Sequence, residues 1–501
     1  MTLPELRDRL GEIHDLGRAA ALLAWDERTM MPPGGAESRA QQLATLAKVR
    51  HEMFSEDRVG ELIEEARGEL DGAAEPGESI DADLIRVVAR DWAKARRVPS
   101  SLRAEMASAA VTAERAWVDA KRDSDFAALL PHLERNFELA REFGRCYEGF
   151  PGFEHPYDPL LDEYEPETST AQMRALLAEL REGLVPLVAE ATAGGPPVPD
   201  PFRGEFDADA QRALLREMLA ELPFPEGSYR IDPTDHPFAI SIGRDDVRLT
   251  TRYEPGDLAM ALFSGLHEAG HGLYELGVDP ALARTPLAKP RSLGLHESQS
   301  RLWENWVGRS RPYLERLLPR LAARFPERFG GMSANELYAA ANRVERSLIR
   351  IEADELTYNL HILIRFELEL GLFDGTIGLA DLPQAWNARY RDYLGLEVPD
   401  DARGVLQDVH WAGGAFGYFP TYSLGNVIAG QLWEAAARDV GDLAERIGAG
   451  DLAPLGEWLR EHVHRHGRRL GPAEVLERAG CGELSVEPLL GHLRERVAAL
   501  A

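Results

Sequence analysis

His267-Glu268-Ala269-Gly270-His271 spells H-E-x-x-H. On a helix, imidazoles four residues apart project from one face and can share a divalent cation, as in zinc hydrolases. Glu268, beside the first histidine, is placed to take a proton from a water on that cation. The chemistry this predicts is hydrolysis. A helix must carry the motif, and Leu258, Leu262, Leu266, Ala269, Leu273 and Leu276 recur at steps of three and four, which predicts one over 257–276. Asp257, after Pro255 and Gly256, is the expected N-cap. Gly265, Gly270 and Gly272 each cost this helix about 1 kcal/mol against Ala. Their presence implies that something approaches the backbone closely. The competing reading is a buried helix with two hydrogen-bonded core histidines.

A catalytic zinc takes three protein ligands and leaves one position open. The extended form H-E-x-x-H-x-x-G-x-x-H is excluded, because Tyr274 and Gly277 stand where it needs Gly and His. A glutamate from a later helix is the other solution. Glu297 leads, since His296-Glu297-Ser298-Gln299-Ser300 opens a segment with Leu302, Trp303 and Trp306 at helical spacing. Glu275, one turn beyond His271, is a rival, and Glu304 a weaker one.

The elements around this helix are mostly helical as well. Patterns of period 3.6 run through 4–23, 37–70, 80–121, 126–147, 170–192, 208–221, 295–325, 334–371, 380–393, 424–447, 452–467 and 485–500. Gly194-Gly195-Pro196-Pro197 reads as a loop within one domain. The region 229–253 differs: Phe238–Ile242, a Gly243-Arg244-Asp245 turn and Val247–Thr251 predict a small hairpin. A strand edge beside a metal helix can hold an extended peptide through main-chain hydrogen bonds. Within 334–371, read as one helix, Arg350, Asp354 and His361 share a polar stripe. Arg350 there either binds a substrate carboxylate or pairs with Asp354. The segment 404–422 packs glycines among aromatics and offers His410, Tyr418 and Tyr422 as donors to an oxyanion; His236 is another. Singly, each of these also fits a packed structural role.

Bulk properties narrow the class. The chain has 501 residues, a formal net charge of −28 and two cysteines, Cys146 and Cys481. Such acidity disfavours nucleic acid and anionic lipid as partners. No apolar run reaches the ~20 residues that span a bilayer. The apolar patch Ala19–Trp25 ends in Asp26 and Glu27, unlike a signal peptide. Two cysteines far apart fit a reducing compartment, and a cytoplasmic location is expected.

Six motifs together extend the reading. They are His236-Pro237-Phe238, Asp246-Val247-Arg248-Leu249-Thr250, the H-E-x-x-H, His296-Glu297-Ser298-Gln299, Ile349-Arg350-Ile351-Glu352-Ala353-Asp354 and Gly404-Val405-Leu406-Gln407-Asp408-Val409-His410-Trp411. In this order they resemble the carboxypeptidase Taq family of metallocarboxypeptidases, across nearly the whole chain. The resemblance implies a mainly α, neurolysin-like fold with a small antiparallel sheet beside a deep groove. It implies a single domain over 1–501, with a metal-site core at about 236–430, and a homodimer. It implies metal ligands His267, His271 and Glu297, with Glu268 as general base and acid. Arg350 then binds the substrate C-terminal carboxylate, and His236, Arg248, His410 and Tyr422 line the groove. The expected cofactor is one divalent ion per chain, Zn2+ first, with Co2+ and Mn2+ compatible. The expected activity removes C-terminal residues from peptides with a free C-terminus, with broad specificity, through a metal-bound water activated by Glu268.

Overall fold

The computed structural model describes residues 2–70, 74–193 and 200–500. The Gly194–Pro197 stretch read as a loop lies outside the described residues. Helices dominate, with one three-stranded sheet among the described residues. None of the described helices is long and apolar enough to cross a membrane. The chain resolves into two compact units. The first comprises Met1–Ala95, Val198–Ala341 and Ile428–Leu484; the second comprises Arg96–Pro197, Asn342–Val427 and Ser485–Ala501.

The first unit opens with the helices α1 (Thr2–Thr29) and α2 (Ala36–Ser55). Leu6 and Leu10 of α1 join Leu62, Ile63, Leu84, Val88, Leu282 and Leu287 in a buried apolar cluster. The sheet follows, with β1 (Tyr229–Pro233), β2 (Ala239–Gly243) and β3 (Asp246–Thr251) in the order β1-β3-β2. β2 and β3 form the antiparallel hairpin expected from the sequence, with a register irregularity between Ser241 and Gly243. β1 pairs parallel to β3, so the whole sheet is mixed and not purely antiparallel. Sequence alternation does not show this, because it marks a face and not a strand direction.

The helix that carries H-E-x-x-H spans Leu258–Gly277, and Asp257 caps it by accepting from the Met260 N–H at 3.2 Å. Val247 and Leu249 of β3 are fully buried against it at Gly272. A Cβ at Gly272 would come within 2.9 Å of Leu249 Cδ2 and 3.2 Å of Val247 Cγ1. The sheet therefore sits close on the helix because a side chain is missing there.

Longer predicted helices are interrupted where local chemistry competes. The 80–121 pattern divides into Ile80–Arg97 and Ser100–Asp123, with Pro99 at the break. The 295–325 pattern comprises Leu293–Arg301, a π-helical turn at Leu302–Gly308 and a restart at Arg311–Arg324, capped by Ser310.

The second unit contains the largest correction. The 334–371 pattern is not one helix. Ala334–Ala341 ends at the edge of the first unit; in the second, a 3-10 turn at Arg350–Glu352 precedes the helix Glu355–Phe373. Asp354 is the N-cap of that helix, accepting from Leu356 N at 2.9 Å, Thr357 N at 3.1 Å and Thr357 Oγ1 at 2.7 Å. Asp354 is therefore not the ion partner of Arg350, and the shared polar stripe does not exist. His361 is buried in the helix, its Nδ1 2.9 Å from the Tyr390 hydroxyl.

Candidate metal centre

His267 and His271 project from the helix Leu258–Gly277, and Glu297 from the helix Leu293–Arg301. One donor atom from each lies within 4.8 Å of the other two, the only such set among the described residues. Glu297 Oε2 is 3.6 Å from His267 Nε2 and 3.5 Å from His271 Nε2. Donors at ~2.1 Å from a tetrahedral cation stand about 3.4 Å apart. Two imidazoles and one carboxylate at this spacing fit a divalent cation of the zinc type.

The close approach implied by the glycines lies here. A Cβ at Gly270 would meet Gln299 O at 2.4 Å and the Ser300 Cα at 2.6 Å, both backbone atoms of the Glu297 helix. Gly270 thus sets the distance between the two helices that supply the donors. Gly270→Ala is expected to lower stability by about 1–3 kcal/mol through overpacking and to weaken metal binding. Thermal midpoint and a metal titration check both; a variant with unchanged metal affinity would separate Gly270 from the donor geometry.

A shell of charged groups orients the donors. Glu304, on the π-helical turn, holds His267 Nδ1 at 2.9 Å, which points the Nε2 lone pair toward Glu297. Arg301 Nε donates to Glu297 Oε1 at 2.7 Å, and Arg301 Nη1 to Glu304 Oε2 at 3.3 Å. Ser300 Oγ donates to Glu297 Oε2 at 3.1 Å. Burial raises both carboxyls, but Arg301 and His267 outweigh it at Glu297, which falls well below the usual range. At Glu304, His267 and Arg301 likewise outweigh burial, giving about 2. Both are anionic in this setting. Burial lowers His267, yet Glu297 and Glu304 bring it above its usual value. Glu268 is 6% exposed; burial pushes its carboxyl up, against the pull of His267 and His271. A carboxyl raised in this way is suited to exchanging a proton.

Glu275, the rival third ligand, lies outside the donor set. Its Oε1 is 3.5 Å from His296 Nε2, and the His296 ring stacks on His271 at 4.3 Å between centroids. Glu304, the weaker rival, acts as the partner of a donor. Arg301 and Glu304 follow Glu297 by four and seven residues, a helical spacing that was available in the sequence.

The remaining first-unit residues are placed differently. Arg248 lies on the strand between the buried Val247 and Leu249, so its side chain leaves the face that meets the metal helix. It donates to Asp246 Oδ2 at 2.8 Å and lies over the Trp25 ring at 4.9 Å. His236 is exposed in the connection from β1 to β2.

In the second unit, Arg350, His410 and Tyr422 come together around an ion network. Asp408 Oδ1 accepts from Arg350 Nε at 3.0 Å and Nη2 at 2.8 Å, and its Oδ2 accepts from Arg365 Nε at 2.7 Å. Gln407 Oε1 accepts from Arg350 N at 3.0 Å and Arg365 Nη2 at 2.8 Å. Arg350 Nη1 donates to the Tyr358 hydroxyl at 3.2 Å, and its guanidinium lies 5.3 Å from the Tyr422 ring centroid. Each terminal amino group of Arg350 keeps a second N–H beyond these bonds. His410 packs against Phe419 at 4.5 Å and Tyr418 at 5.3 Å; burial lowers it to about 4, so it is neutral near pH 7. Gln407, Asp408 and Arg365 have no individual sequence signal, since only folding brings them to Arg350.

Glu369 anchors the loop that carries these groups, accepting from Trp411 Nε1 at 2.7 Å and Gly417 N at 3.0 Å. Burial raises its carboxyl to about 7, more than the Tyr157, Gly417 and Trp411 donors lower it. Between its ordinary value of 4.5 and about 7 the folded chain holds a proton that the unfolded chain releases. This contribution is complete below the unfolded value and is lost as pH rises through the folded one. The stability of wild type relative to Glu369→Gln is expected to fall by about 2–3 kcal/mol between pH 4.5 and 7.5. Urea midpoints of both proteins at the two pH values check this. A difference independent of pH would assign Glu369 an unshifted carboxyl.

A helical chain with an H-E-x-x-H helix and a glutamate from a later helix defines the class of metal-dependent peptide hydrolases. Residues 5–497 match the family model described as Carboxypeptidase Taq (M32) metallopeptidase, and the chain belongs to that family. It is 41% identical over 492 residues to thermostable carboxypeptidase 1 of Thermus thermophilus, covering 97% of this chain and 96% of the relative. Carboxypeptidase 1 of Bacillus subtilis is 37% identical over 497 residues, with 99% and 98% covered. Among solved structures, the M32 carboxypeptidase from Deinococcus radiodurans R1 superposes with a TM-score of 0.94 at 39% identity, covering 100% of this chain and 99% of that one. The chain is a metallocarboxypeptidase, a peptide hydrolase that works with a divalent metal ion.

Proposed function

We propose that this chain, acting as one domain over 1–501, is a zinc carboxypeptidase of broad specificity that removes residues from free peptide C-termini. The observation that carries the metal assignment is the convergence of His267 Nε2, His271 Nε2 and Glu297 Oε2, with Oε2 at 3.6 and 3.5 Å from the two rings. When bound, the cation polarises the scissile carbonyl and acidifies water. Glu268 takes the proton of the attacking water and delivers it to the leaving amine. Glu304 and Arg301 hold His267 and Glu297 in the orientation that leaves their donor atoms converged. Arg350 is the proposed partner of the terminal carboxylate; its buried pairing with Asp408, which Arg365 also holds, supports this, because a rigid guanidinium loses little freedom on binding. His236, Arg248, His410 and Tyr422 complete the proposal as substrate-contacting groups, with the packing of His410 and Tyr422 beside Arg350 as the support for those two. A homodimer in the cytoplasm is part of the reading, and the free thiols Cys146 and Cys481 are consistent with a reducing compartment.

Mass spectrometry of one peptide, with its C-terminus free and amidated, tests the reading. Sequential loss of single residues from the free form is expected, with the amidated form resistant and both inert after chelation. Activity is expected to return with Zn2+, and Co2+ and Mn2+ added separately define the metal preference. Internal fragments at early times, or equal turnover of the two peptides, would overturn the carboxypeptidase assignment in favour of internal cleavage.

A further inference from the structure

Apart from the metal centre, the first unit holds a cavity of about 590 Å3 bounded by α1, α2, β2 and the segment 285–289. Its charged lining runs against the composition of the chain. Arg18, Arg50, Lys289 and Arg468 face only Asp91 and Glu275, although the chain carries 84 acidic and 56 basic residues. Arg468 is neutralised by Asp91 through bonds of 2.6 and 3.0 Å.

The other three cations have no carboxylate ion partner among the described residues. Arg18 donates to neutral acceptors: Ser241 O at 2.7 Å, Ala288 O at 3.1 Å and His14 Nε2 at 3.3 Å. Arg50 Nε is buried with no hydrogen-bond acceptor. Its guanidinium lies against α1 at Gly17, where a Cβ would come within 3.0 Å of Cζ. Lys289 keeps its side chain accessible. The surroundings register as positive. Burial and then Arg18 lower both Arg50 and His14, the latter to about 4. At Lys289, enclosure by protein and then Arg468 lower the ammonium to about 8, against the opposing pull of Asp91 and Glu275. Arg50 is half-buried with no acceptor at its Nε; leaving such a cation uncompensated is costly, and a bound anion removes that cost.

We propose that this cavity binds a small anion, a carboxylate or phosphate group, held by Arg18, Arg50 and Lys289. The site borders the metal helix. Glu275 in its wall follows His271 by one helical turn, about 6 Å along the axis. His296 joins them, 3.5 Å from Glu275 Oε1 and stacked on His271. Two sources can present such a group. One is a free anion in solution. The other is an acidic side chain of a peptide upstream of its scissile bond; that source rests on the proposed carboxypeptidase reading, and the first does not.

The experiment uses the full-length, metal-loaded protein. Calorimetric titrations with inorganic phosphate and with glutarate, at matched ionic strength, compare wild type with Arg50→Met and Lys289→Met. In parallel, kcat/KM is measured for peptides that differ only by Glu or Gln two and three residues before the C-terminus. Saturable binding that each substitution weakens by about tenfold or more, without a Glu preference, establishes the solution anion. A Glu preference of about tenfold that the substitutions erase establishes the peptide side chain. Arg50→Lys and Lys289→Arg, which keep the charge, are expected to retain either property and so separate charge from packing. The proposal is overturned if wild type shows neither property, or if both survive in the double Met variant with an unchanged thermal midpoint. Absence of all peptide turnover would defeat the carboxypeptidase reading and leave the calorimetric result standing.

Discussion

Glu268→Gln is expected to keep the metal and to lose about 10²- to 10⁴-fold in kcat, the range assigned to a positioned acid–base. The substitution preserves shape and removes only the ability to take and return a proton. Glu268 is buried, and its carboxyl is raised by that burial while the flanking imidazoles oppose the shift. It is not one of the three converging donors, so metal content measured by atomic absorption should match wild type. That pairing of results distinguishes proton transfer from metal loss. Near-full turnover in a metal-replete variant would discard the assignment. A variant that loses metal together with activity would instead make Glu268 a part of the cation site.

Arg350→Met is expected to lower kcat/KM for free-acid peptides by about 10²-fold, because hydrogen bonds between charged groups contribute about 1.5–3 kcal/mol each. Met keeps most of the side-chain volume. Asp408 retains Arg365 as a counter-ion, with Nη2 2.6 Å from Oδ2, so the network loses one arm and not its charge balance. The loss should appear mainly in KM if Arg350 contacts ground state and transition state equally, and in kcat if it acts only in the latter. Peptide amides, which carry no terminal carboxylate, provide the internal control: their slow turnover should be unchanged. An equal loss for acids and amides would place Arg350 among groups that merely support the fold.

The candidate metal centre was legible in the sequence because helical spacing is a local rule. His267, Glu268 and His271 lie within five residues, and any helix through them places both rings on one face. The N-cap Asp257 and the glycines of that helix were readable for the same reason, since capping and the energetic cost of glycine are local too. Glu297 was ranked first by spacing and by family resemblance, but its rivals were separated only by packing. Glu275 points to His296, and Glu304 to the far nitrogen of His267. The helix read across 334–371 shows the limit from the other side. Its apolar period continues through Leu348, Ile349 and Ile351, but the helix ends at Ala341 and Asp354 starts the next one by capping it. A side chain that bonds its own neighbouring N–H groups competes with helix continuation, and periodicity does not register that contest.

The sequence by itself determined the mainly helical class, the helix that presents two imidazoles and a carboxyl, and the hairpin that precedes it. Each follows from residues near one another along the chain, where bond geometry leaves few choices. Tertiary structure alone decided the parallel pairing of β1 with β3, the partner of Arg350 and the gathering of Arg18, Arg50 and Lys289 around the α1–β2 cavity. Those depend on segments 18 to more than 200 residues apart, such as Tyr229 with Val247, Arg350 with Asp408, and Arg18 with Ser241. Which distant groups meet is set by the packing of whole elements, and no local preference of the chain encodes it.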